Sequence, residues 1–270
     1  MKLFTKYTER NAEYIPGKAY AFTVGSQAIW RSYLGTMLAI PRIEVRAGVC
    51  EQPAGETGAG TALGDPFAVA RTWAMHGFRR IHLTDGDAIA GTGSNSILID
   101  EIIRDGAIDV QVCDAAQSSD RIEQVVTGGA IRVVVGPRGL EEPDWLSGAA
   151  ELYPGLLIVA TDVRERRVVT RGWVRSMPVD VLDLVGELNC LPLGGLLVSP
   201  GTADVGRGFD LSLLEDIAEA SEFPLIADGG ISTMNDLRAL EHRGVSAVLL
   251  GGALYSGELD ARHVAMEFGE

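Results

Sequence analysis

Eight short apolar, β-branched runs recur along the chain, and most are separated by segments with the apolar spacing of a helix. The runs are MLAIPRIEV (37–45), RRIHLTD (79–85), IDVQVCD (108–114), AIRVVVG (130–136), GLLIVATD (155–162), GGLLVSP (194–200), FPLIAD (223–228) and SAVLLGG (246–252). They are near-continuous in apolar residues rather than alternating, which is the pattern of strands buried on both faces of a parallel sheet. The intervening helices are DPFAVARTWAMHG, NSILIDEIIRDG, LSLLEDIAEASE and STMNDLRALEHRG. Such a βα period, repeated eight times within about 230 residues, fits a closed (β/α)8 TIM barrel better than an open doubly wound sheet. The barrel is assigned to residues 37–270. Residues 1–36 fall outside the period and carry Trp30 and Tyr33. They read either as an amphipathic extension over the barrel's bottom or as sequence upstream of a start at Met37.

Composition narrows the class of partner. At 46% hydrophobic and 22% charged residues, the 270-residue chain has material for a large core and is not a disordered sequence. The net charge of −14 lacks the basic footprint of a nucleic-acid or anionic-membrane binder, so neither partner is expected. A small anionic substrate remains compatible with it, because backbone amides at a helix start hold a phosphate locally. Cys50, Cys113 and Cys190 form no CxxC and no Cys/His cluster, so neither a disulfide framework nor a metal site is expected. No apolar run approaches the roughly 20 residues that span a bilayer, and MKLFTKYTERNAEYIPGK lacks the apolar stretch of a signal peptide. A cytoplasmic location follows as the expectation; the oligomeric state stays open.

Carboxylates and glycines gather at the C-terminal ends of the runs, the barrel face that carries chemistry: Glu44, Asp85, Asp114, Asp162, Asp228, Gly229-Gly230 and Gly251-Gly252. Glu44 and Asp162 end the first and fifth runs, Asp114 and Asp228 the third and seventh, a spacing that suggests two half-barrels. An isolated strand-end acid more often orients a loop. Two acids on opposed strands favour a general acid and a general base acting on one substrate between them. Either glycine pair alone reads as a turn, whereas both on adjacent strands read as a phosphate cradle. His82, inside its run, is more often a satisfied core histidine than a catalyst. Trp73 and Trp145 read as packing residues. Trp173, after Arg171 and Gly172, reads either as part of a lid over substrate or as packing.

The segments IPRIEVRAG, GDPFAVARTWAMHGFRRIHLTDGDAIAGTGSN, EEPDW, ATDVRERRVVTRGW, PLIADGGISTMNDLRAL and LLGGALYSG, in that order, make the chain resemble the ProFAR isomerase family of histidine biosynthesis. The likeness extends to its actinobacterial-type bifunctional relatives, which also serve tryptophan synthesis. It implies a ribulose-phosphate-binding barrel and a cofactor-free Amadori rearrangement, in which an acid assists opening of an aminoaldose ring and a base removes the C2 proton. By position Asp162 matches the acid, and Glu44 stands where the family has an aspartate base. Arg171 and Trp173 match substrate-contacting loop residues of the bifunctional relatives, and Asp204 roughly matches an aspartate after the sixth strand. With His82, Asp85 and Ser199 these are the candidate substrate-binding residues, and Gly229, Gly230, Gly251 and Gly252 the candidate phosphate-binding ones.

The departures are local. Cys113-Asp114-Ala115-Ala116-Gln117 replaces a Gly-Gly-Gly-Ile-Arg run that grips the second phosphate, and Asp114 there is expected to repel a dianion. AGVCEQPAGETG has Glu51 and Gln52 where the family has a substrate-binding arginine. The loop SPGTADVGRGFD is shorter than in the family. Two other readings therefore accompany ProFAR isomerisation: a divergent enzyme for a smaller, singly phosphorylated sugar, and a non-catalytic barrel that binds a phosphorylated ligand. A cyclase working with a glutaminase partner is disfavoured, since that family carries aspartate at strand one and a longer Asp-Gly motif after strand six.

Overall fold

The computed structural model describes residues 36–52, 61–114, 118–170, 175–200 and 210–269. The expected barrel is present. Its parallel staves are β1 (Leu38–Arg46), β4 (Arg80–Asp85), β5 (Asp109–Cys113), β6 (Arg132–Val135), β7 (Leu157–Arg164), β10 (Gly195–Pro200), β11 (Leu225–Asp228) and β12 (Ala247–Leu250). They pair in that order, and the circle closes where β12 meets β1, with Leu38 opposite Ala247 and Pro41 opposite Leu250. Counted either way around, β1 and β7 lie four strands apart, on opposite sides of the mouth.

Helices connect the staves: α1 (Pro66–His76), α2 (Gly86–Ala90), α3 (Ser96–Asp105), α4 (Ser119–Gly128), α5 (Pro137–Glu141), α6 (Pro143–Leu152), α7 (Val181–Leu188), α8 (Leu211–Ala220), α9 (Met234–His242), α10 (Gly252–Ser256) and α11 (Ala261–Phe268). Their starts are written in sequence. Asp65 accepts from the amides of Phe67 and Ala68 ahead of Pro66, and Thr233 forms a reciprocal capping box with Asp236.

Two apolar layers hold the molecule together. Leu38, Ile40, Val134, Ile158, Leu197, Ile226, Ala247 and Leu249 fill the inside of the barrel, while a larger cluster, including Ile43, Leu83, Val112 and Phe268, packs the helices onto its outside. Trp73 and Trp145 belong to that outer layer, as packing residues should. Because strand side chains alternate, Ile40 pointing inward puts Arg42 and Glu44 on the same inner face, above the apolar plug.

Two features go beyond the sequence pattern. β2 (Val49–Gln52) and β3 (Thr61–Gly64) extend β1 as an antiparallel hairpin, and β8 (Arg167–Thr170) with β9 (Arg175–Asp180) does the same for β7. Both leave their staves by two-residue turns with positive φ, at Ala47-Gly48 (46° and 78°) and Glu165-Arg166 (49° and 65°). Neither pair is an Asn-Gly signal, so the turns do not announce themselves. The extension expected over residues 1–36 falls almost wholly outside the described residues, as do Arg171, Trp173, Asp204 and Ala115–Gln117.

Candidate active site

Glu44 is buried, and its carboxylate is clamped from two sides. Arg42 Nη2 donates to Oε2 at 3.1 Å, while Arg46 donates to Oε1 through Nε at 2.9 Å, with its Nη2 at 2.8 Å. All three side chains leave β1 on its inner face, so consecutive inward positions of one strand build the clamp. Arg46 passes over Gly86, where a Cβ would meet its Cγ at 2.8 Å, so the glycine is needed for the arginine to lie there. Thr84 of β4 and Glu51 of β2 are the cross-strand neighbours of Glu44.

Across the mouth, Asp162, Ser199 and Asp228 occupy three neighbouring strands. Ser199 is the register partner of Asp162, and its Oγ lies 3.4 Å from Asp228 Oδ2. Burial, and then the nearby Asp228 charge, push the Asp162 carboxyl up to about 6. A carboxyl so placed keeps a proton close to neutral pH, which is what a general acid requires. Asp228 in turn reaches Arg42, whose Nη1 lies 3.4 Å from its Oδ2. Arg42 and Arg46 are site residues that sequence reasoning did not single out, and Asp228, noted there as a strand-end carboxylate, was given no role. Only the phase of the first run, which places 42 and 46 with Glu44, points to the arginines.

His82 sits one layer lower, opposite Arg42 in register and buried. Its Nδ1 is 2.9 Å from Gln111 Nε2. Desolvation, assisted by the Arg42 charge, pulls its pKa down to about 3, so it is a neutral ring. This is a satisfied core histidine, facing the site from below.

Asp85 points the other way. Its register partner Val45 belongs to the outer core, and its carboxylate accepts from the amides of Ala88 (3.0 Å) and Asn95 (2.6 Å) and from Asn95 Nδ2 (2.7 Å). Asn95 accepts from the Gly48 amide, and Asp87 from the Ala47 amide, so this loop is tied to the turn that follows Glu44. A fully buried, fully engaged Asp85 orients the loop and has no face free for substrate. The expectation for Asp114 also needs correction. It lies behind β5, where Arg121 Nε donates to it at 2.6 Å while Arg121 Nη1 holds Asp100 at 2.8 Å. Its Oδ2 is paired there, behind the strand, while its Oδ1 is buried without a partner and burial raises the carboxyl.

Gly229-Gly230 and Gly251-Gly252 end the adjacent strands β11 and β12, so the structure brings both pairs together. Gly229 and Gly230 have φ of 89° and 66°, a conformation that glycine takes without strain. Nothing lies within 4 Å of where a Cβ on Gly251 would stand, and the Gln52 amide is 3.2 Å from that position on Gly252. The end of β12 is thus open at Gly251, with Gln52 at its edge beside Gly252.

Comparison with known proteins fits this geometry. The sequence profile of a family described as histidine biosynthesis protein matches residues 39–260, the barrel from β1 almost to α11. A protein of Gemmatimonas aurantiaca named 1-(5-phosphoribosyl)-5-((5-phosphoribosylamino)methylideneamino) imidazole-4-carboxamide isomerase is 47% identical over 236 residues, covering 86% of this chain and 100% of the relative. The equally named protein of Myxococcus xanthus is 41% identical over 237 residues, 86% of this chain and 99% of its own. That of Salinispora arenicola is 35% identical over 207 residues, 75% of this chain and 86% of its own. Barrel, opposed carboxylates, paired glycine turns and near-complete coverage agree: the chain belongs to the histidine biosynthesis protein family.

Proposed function

We propose that this protein is an aldose–ketose isomerase that converts ProFAR, the substrate in its relatives' printed name, into the ribulosyl isomer without a cofactor. The observation that carries the reading is the pair Glu44 and Asp162, facing one another from β1 and β7, the first paired with two guanidinium groups and the second raised to about 6. In this reading Asp162 gives its proton to the ring oxygen as the C1–O bond breaks, leaving a protonated imine at C1. Glu44 takes the C2 proton and delivers it to C1 of the resulting enolamine, while the C2 hydroxyl proton passes to the Asp162 carboxylate as the ketone forms, which restores both groups. Arg42 and Arg46 keep the Glu44 carboxylate aimed, a matter of about 1 Å that is worth on the order of 100-fold in rate. The glycine turns after β11 and β12 receive one phosphate. Ser199 and, beyond the described residues, Arg171, Trp173 and Asp204 contact the rest of the substrate.

The singly phosphorylated alternative rests on Asp114 repelling a second phosphate, on the replaced glycine run at 113–117 and on Glu51 and Gln52 in place of an arginine. Asp114 pairs with Arg121, which removes the first of these grounds, and the relatives' printed name, with its two phosphoribosyl groups, favours the bisphosphate reading. The narrower likeness to bifunctional relatives rests on Arg171 and Trp173. It is tested by offering the aminoaldose of tryptophan synthesis beside ProFAR.

The experiment is a turnover assay on purified protein and two near-isosteric variants. Asp162→Asn and Glu44→Gln should each lose about 10²- to 10⁴-fold in kcat with the fold retained by circular dichroism. Wild-type kcat in either variant removes that residue from the mechanism.

A further inference from the structure

We propose that Arg42 and Asp228 form a charge bridge across the barrel mouth that ties the acid side of the site to the base side, making both of them positioning residues. The inference rests on the isomerase reading for its purpose, but its geometry stands independently. Arg42 leaves β1 between the two halves of the site, with Nη2 on Glu44 Oε2 at 3.1 Å and Nη1 on Asp228 Oδ2 at 3.4 Å. One planar guanidinium thus touches the proposed base itself and the carboxylate beside the proposed acid, a fork that a point-charge lysine does not reproduce. Its backbone is fixed from behind, where Tyr255 Oη donates to the Arg42 carbonyl at 2.9 Å and receives the Trp73 indole N–H at 3.3 Å.

The groups around each member define what the bridge does. Asp162 is faced by Asp228 from β11, Ser199 from β10 and the apolar Val169 from β8. Asp228 is faced by Arg42, Ser199 and Asp162, with Leu249 of β12 beside it. Glu44 has Arg42 and Arg46, with Glu51 and Thr84 across the strand. Arg42 also lies near Cys113 and His82, the latter neutral and therefore no competitor for its charge. Asp228 is the anion that adds to burial in keeping the proton on Asp162, and two carboxylates side by side would repel without a cation to offset them. Arg42 supplies it. The device therefore sets opposite tendencies: Asp228 raises Asp162, and Arg42 limits how far.

Opposite signs make the test sharp. The Asp162 carboxyl is followed by ¹³C NMR against pH in the free protein, its signal assigned by loss in Asp162→Asn. Asp228→Asn should shift the titration down by roughly one pH unit, and Arg42→Met should shift it up by a similar amount. Arg42→Lys, which keeps charge but not the fork, should fall between Arg42→Met and wild type. Arg46 still holds Glu44 Oε1 in the Arg42 variants, so the base keeps a partner. The alkaline limb of the kcat/KM profile should move with each titration. Loosened packing would instead hydrate Asp162 and lower it in both variants. Shifts of the same sign, or no shift in either, overturn the bridge. Opposite shifts in a protein that does not turn over ProFAR uphold the bridge and reject the isomerase reading.

Discussion

At the scale of single residues, Asp162 is the position where function and stability pull apart. Its folded value of about 6 lies above the roughly 3.9 of an unfolded aspartate, so the folded state holds the proton more tightly. The stability gained from this is full below about pH 4 and is lost as pH rises through 6. An asparagine does not titrate, so Asp162→Asn should gain on wild type as pH rises, by about 1–2 kcal/mol at pH 8 after allowance for partial exposure, and by little at pH 4. Urea unfolding at the two pH values measures it, and an equal difference at both would show that Asp162 carries no strain of charge. This residue and Glu44 are legible in the sequence because a carboxylate at a strand end is a strong local signal. The roles of Arg42 and Asp228 are not, since their meaning lies in a contact between residues 186 positions apart. Asp85 and Asp114 mislead for a related reason: they too stand at strand ends, although the next residue along a strand faces the opposite side.

At the scale of elements, the eight staves are legible because near-continuous apolar runs, spaced by helical segments, leave little but strands covered on both faces. The two hairpins are not. Glu165-Arg166 adopts positive φ with no glycine or asparagine, and Arg166 is steadied by Asp216 at 3.1 Å and Asp180 at 3.7 Å, partners outside the hairpin turn itself. The packing of α4 on α3 shows the same dependence on tertiary partners. Arg121 lies between Asp114 and Asp100, and Gln124 donates to Asp100 at 2.6 Å. Removing the guanidinium that touches both carboxylates leaves buried charge uncompensated, so Arg121→Met should cost about 3–5 kcal/mol in chemical denaturation. A loss below about 1 kcal/mol, the range of a solvent-exposed pair, would mean that Asp114 is free to act elsewhere.

At the scale of the whole molecule, an acidic protein is built around a site for an anionic substrate. The net charge of −14 is no obstacle to the substrate proposed above, because two adjacent strand ends carry glycine turns and the sheet register places arginines inside the mouth. The closed barrel sets β1 opposite β7, which puts Glu44 and Asp162 on opposite sides of the mouth, the placement that the proposed acid and base require. Among the described residues no helix is long and apolar enough to cross a membrane. The most direct test of the opposed acid and base is kcat/KM for ProFAR measured across pH with no cofactor added. Turnover to the ribulosyl isomer is expected, with an alkaline limb that begins where the free protein's Asp162 loses its proton, near pH 6. No product at any pH, or a rate still climbing through about pH 8, well past the point where that acid has lost its proton, would contradict it.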